Sequence, residues 1–72
     1  MSDKLATLVF RTIADREYAS KILKMRKIEL QGEGIYIKEV KDPDMILEIL
    51  EHEAGDNFTD YIRTVPANSR WN

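Results

Sequence analysis

The single histidine, His52, stands four residues after Glu48 in the run Glu48-Ile49-Leu50-Glu51-His52-Glu53. On a helix that spacing puts carboxylate and imidazole on one face, one turn apart, as two adjacent metal ligands would be. A metal site needs at least one or two ligands more. The chain has no cysteine and no second histidine, so a further ligand would have to be a distant carboxylate. The simpler reading is a solvated acidic face near the end of a helix, and neither a metal nor another cofactor is assigned. The serines, Ser2, Ser20 and Ser69, lie outside any Gly-x-Ser-x-Gly context and away from His52 in sequence. Gly32 and Gly34 join two strand-like runs and do not open a helix, which removes a phosphate-cradling loop. No catalytic residue is assigned, and the expectation is a protein without enzymatic activity.

Apolar spacing gives the elements that must position these residues. Residues 5–12 (LATLVFRT) are apolar on both parities, the pattern of a central strand. Thr12 then caps a helix over 13–25, with Asp15 three residues on and Tyr18, Ala19, Ile22 and Leu23 as its apolar stripe. Residues 26–41 read as a hairpin whose arms, 27–30 and 35–40, flank Gln31-Gly32-Glu33-Gly34. The two glycines suit the positive φ of a tight reversal. Alternation turns Ile28, Leu30, Ile35 and Ile37 to the core and Tyr36, Lys38 and Val40 outward. Asp42-Pro43-Asp44 starts a second helix, with Asp42 as N-cap and Pro43 at the first helical position; Gly55 stops it. Residues 57–65 favour a strand by composition and a helix by the spacing of Phe58, Tyr61, Ile62 and Val65. Strand is preferred.

The resulting order, βαββαβ, resembles the ferredoxin-like plan. That is an α+β two-layer sandwich: a four-stranded antiparallel sheet with two helices on one face. It would fill a single domain, 1–66, leaving 67–72 as a tail that carries Trp71. If 57–65 is helical, the alternative is a three-stranded sheet with a third helix. RNA-recognition domains share the order, and their third-strand signature falls on residues 31–38. Both glycines match, but Glu33, Ile35 and Lys38 stand at the three aromatic positions. Small-ligand sensors of the ACT type are similar in size and order and usually have a glycine after the first strand. Here Arg11-Thr12-Ile13-Ala14-Asp15 occupies that stretch.

Charge narrows the partners. The net charge of −2 divides into +3 over residues 1–31 and −5 over 32–72, which disfavours a general grip on nucleic acid or anionic membrane. No apolar run approaches the roughly 20 residues that span a bilayer, nothing near the N-terminus reads as a signal peptide, and the missing cysteines fit a reducing, cytoplasmic setting. What remains is the sheet face turned away from the helices. There the pattern places Thr7, Val9, Arg11, Tyr36, Lys38, Tyr61 and Arg63, tyrosines and cations of the kind enriched in recognition patches. Trp71 is a second candidate, either packed on the body or anchoring the tail in a partner. The sequence therefore points to a small soluble regulatory or recognition protein, an adaptor or inhibitor, that binds another protein. Single-stranded nucleic-acid binding through the same face is the alternative, and ACT-like sensing a further one. The oligomeric state is left open.

Overall fold

In the computed structural model, which describes residues 5–66, the first apolar run forms β1, Ala6–Val9. Thr12 keeps an extended backbone, and its hydroxyl accepts from the Asp15 N–H at 3.1 Å, which starts α1, Ile13–Met25. The helix ends without a glycine. Lys27 takes φ 63°, its N–H bonds to the Lys24 carbonyl, and the Ile28 N–H bonds to the Leu23 carbonyl, both at 2.9 Å. This is the Schellman arrangement, with lysine at the left-handed position that glycine usually fills.

The hairpin is shifted from the expected register. Its first strand, β2, is only Gly32–Glu33, its second, β3, is Tyr36–Val40, and the loop between them is Gly34 and Ile35. Gly34 has φ 60° at the first central position of this two-residue loop, as a type II′ turn requires. Gly32, expected in the turn, is a strand residue, and residues 27–30, expected as an arm, lie outside the sheet. Instead, the Arg16 side chain lies across Gly32 and its Nε donates to the Gly34 carbonyl at 2.9 Å. A Cβ on Gly32 would come within 2.8 Å of the Arg16 Nη1, so the bare backbone there makes room for this clasp.

Val40 corrects a second expectation. It is 1% exposed rather than facing outward. Ala6 lies opposite Val40 and Leu8 opposite Ile37, so three positions of β3 face two steps of β1 differently by one inserted residue. Glu39 carries that bulge at φ 59°, and the strand rotates so that Ile37 and Val40 both face the core.

Asp42 accepts from the Met45 N–H at 3.4 Å and Pro43 opens α2, Pro43–Ala54, as the sequence indicates. Gly55 ends it at φ 96°, ψ 161°. The ambiguous stretch then divides. A single helical turn, α3, Asp56–Thr59, comes first and a strand, β4, Arg63–Pro66, follows. The preferred strand is thus present but begins only at Arg63, and the helical spacing that ran on to Val65 is realised for a single turn, so the three-stranded alternative does not hold. The sheet is antiparallel in the order β2-β3-β1-β4, so the ferredoxin-like plan holds with α3 inserted before the last strand.

One core joins the layers. Leu8, Phe10, Ile37 and Val40 from the sheet side meet Ala19, Ile22 and Leu23 of α1 and Ile46 and Leu50 of α2. Phe58 of α3 closes one end, 6.4 Å from the Phe10 ring and edge-on to Tyr18 at 5.4 Å. Both sheet edges are short: β2 has two residues and β4 finishes at Pro66, which has no N–H to offer.

These backbone conformations give a test. Gly55 has open space where a Cβ would be, yet its φ and ψ are nearly exclusive to glycine, so Gly55→Ala should cost roughly 2 kcal/mol or more. Gly32→Ala meets only the movable end of Arg16 and should cost less. Glycine at Lys27 or Glu39 should add about 0.5–1 kcal/mol by relieving a left-handed residue that carries a Cβ. Urea unfolding of the four variants checks this ranking.

Candidate functional site

The core pair Leu8 and Ile37 fixes which way the central strands face. With both fully buried under the helices, their neighbours Val9 and Tyr36 must point to the opposite face. The register then runs across the whole sheet: Glu33 opposes Tyr36, Tyr36 opposes Val9, and Val9 opposes Arg63. These four residues form one row on the outer face, a strand apart from one another. A second pair, Thr7 opposite Val65, lies beside it. Val9, Tyr36, Thr7 and Val65 are half-buried, while Glu33, Lys38 and Arg63 are exposed. Among the described residues, no helix covers this face.

The structure therefore brings Val9, Tyr36 and Arg63 together as expected and adds Glu33. Sequence reading missed Glu33 because it placed the residue in the turn. Only the two-residue shift of the loop brings it into register with Tyr36. Tyr61 is not a strand residue; it lies between α3 and β4, exposed, with the Arg11 guanidinium 4.3 Å from its ring centroid. Trp71 lies outside the described residues.

The cations on this side are partly offset within the chain. The Arg11 Nε donates to Asp15 Oδ2 at 3.2 Å while its guanidinium sits over Tyr61. Lys38 Nζ is 3.7 Å from Glu33 Oε1, a loose pair in water. Arg63 has no ion-pair partner among the described residues. The face thus presents an aromatic and aliphatic strip with charges of both signs. It lacks the uniform positive field that phosphate binding uses.

The acidic helix end is arranged differently. Arg26 at the end of α1 donates to Glu53 of α2 and pairs with it. That hydrogen bond, then the positive charge itself, holds the Glu53 carboxyl below its ordinary range. Glu51 is pushed up, first by the hydrogen bond it shares with Asp56 across the α2–α3 corner and then by that residue's charge, with Glu48 and Asp60 adding to it. His52 is exposed, and among the described residues no three His, Asp or Glu side chains converge on a common point. No helix among them is long and apolar enough to cross a membrane. Comparison with protein-family models, with curated proteins and with solved structures gave no match.

The two glutamates predict opposite pH responses. Ionised Glu51 destabilises the fold, so its penalty is present at neutral pH and disappears as pH falls from its raised folded value to below the ordinary 4.5. Glu53 stabilises above 4.5, and that contribution is lost as pH falls through its lowered folded value. Glu51→Gln should raise the melting temperature at pH 7 and low salt, and Glu53→Gln should lower it. As pH is lowered, the first difference should vanish before the second.

Proposed function

We propose that this chain is a non-enzymatic recognition protein, an adaptor or inhibitor, that binds a protein partner through the outer face of its sheet. The observation that carries this reading is the row Glu33, Tyr36, Val9 and Arg63, which crosses all four strands. It sets a half-buried tyrosine and valine between an acid at one edge and a cation at the other. An antiparallel surface with an aromatic centre and a charged rim is the anatomy of a protein interface, where a few desolvated side chains supply most of the affinity. Asp15 and Glu33 offset Arg11 and Lys38 locally, which favours a partner of mixed charge over a polyphosphate backbone. A cytoplasmic setting belongs to the same proposal.

The test places a photo-crosslinking residue at Lys38 on this face and, as a control, at Glu17 on the exposed surface of α1. A protein partner should crosslink from position 38 and not from 17, with a yield unchanged by nuclease. Tyr36→Ala or Arg63→Ala should reduce that yield roughly tenfold or more, the effect of removing a central contact. Equal crosslinking from both positions would overturn the proposal. Loss of the product on nuclease treatment would move the face to single-stranded nucleic acid.

A further inference from the structure

Residues 28–30 leave the sheet as a ridge between two grooves. Ile28 and Leu30 are half-buried and line both. On one side, a groove of about 300 Å³ is bounded by Ser20, Leu23 and Lys24 of α1. On the other, one of about 230 Å³ is floored by Val40, Met45 and Ile46. One methionine belongs to this strip. Met45 lines the second groove and is half exposed. The bulge borders this second groove, with Glu39 on its rim and Val40 in its floor.

Charge is divided across the ridge. Lys24 lines the α1 side together with Glu29, Lys21 and Lys27 flank Lys24 in the chain, and Glu17 stands one helical turn before Lys21, so this side carries three cations and two acids. Glu39 and Asp42 rim the opposite groove, with Asp44 next to Met45 and Lys41 as the one cation. Among the described residues, none of these nine side chains has an ion-pair partner. A basic flank and an acidic flank on either side of an apolar ridge form a surface that is complementary to itself. A two-fold axis running alongside the ridge sets each copy's basic flank against the other's acidic flank. The same rotation lays each ridge into the other's apolar groove.

We propose that this strip is the interface of a symmetric homodimer, with Ile28 and Leu30 of each copy seated in the groove floored by Val40, Met45 and Ile46 of the other. Lys24 of one copy then faces Glu39 of its partner at two equivalent places. The outer face of the sheet takes no part, so the dimer leaves both recognition faces open.

Sedimentation equilibrium over about 1 μM to 1 mM tests it. The mass of the wild-type chain should rise from 8.4 kDa towards twice that value with concentration. Lys24→Glu and Glu39→Lys, each at an exposed position, should each shift the midpoint upward at least tenfold, about 1.4 kcal/mol. An equimolar mixture of the two should restore association, because both contacts in the mixed dimer are again between opposite charges. Met45→Ser, in the half-exposed lining of the second groove, should likewise weaken association. A wild-type chain that stays monomeric to the top of the range overturns the proposal. Association that exceeds a dimer, or single variants that associate as the wild type does, overturn it equally.

Discussion

The inserted residue at Glu39 constrains most of this molecule. In a regular five-residue strand only alternate side chains reach the core, so Ile37 would bring Glu39 inward and leave Val40 in water. The left-handed turn at Glu39 removes that conflict, and Ile37 and Val40 both pack beneath the helices. A backbone cost of about 1 kcal/mol is small beside the burial of a valine, worth roughly 1.5–3 kcal/mol. The same kink ends the pairing of β2 with β3 beyond Gln31, whose carbonyl still accepts from the Lys38 N–H at 3.2 Å. Ile28 and Leu30 lie outside the sheet, beside the groove that Glu39 rims.

What the sequence made legible were the features whose causes are local. Thr12, Asp42 and Pro43 act within one helical turn of themselves, and both long helices begin where these residues indicate. Gly55 likewise ends α2, because few other residues adopt its conformation. The misses share a different cause. Nothing in Lys27 or Glu39 announces a positive φ, since neither is the glycine that normally marks one; contacts with Leu23 and with β1 impose it. The hairpin loop lies two residues beyond its expected place, and there Arg16, far away in sequence, lies over Gly32 and donates to the Gly34 carbonyl, a contact that alternation cannot announce. Residues 57–65 gave conflicting signals, a strand by composition and a helix by spacing, because a helical turn and a strand follow one another within so short a stretch.

The candidate face shows how a site depends on register more than on composition. Val9, Tyr36 and Arg63 could be assigned to one face from alternation alone, but their alignment in a single row needed the true partners of each strand. That alignment also brought in Glu33 and changed the electrostatic character of the surface. Three cations read as a basic patch; with Asp15 and Glu33 beside them they become a mixed rim around an apolar centre. Oriented, short-range contacts then matter more there than a long-range field.

The two short outer strands have a consequence for the chain in a crowded solution. An open sheet invites further strands, and its growth is limited only by what its margins offer. Here one margin supplies two residues and the other closes on a proline, so an incoming segment finds too few hydrogen-bonding positions to settle in register. The runs 6–9 and 36–40 are the two interior strands; the first is flanked along its length by β3 and β4, and the second is flanked by β2 only over residues 36–38. Among the described residues, the folded sheet therefore offers an added strand only short stretches of free edge, and opening of the sheet would expose longer ones.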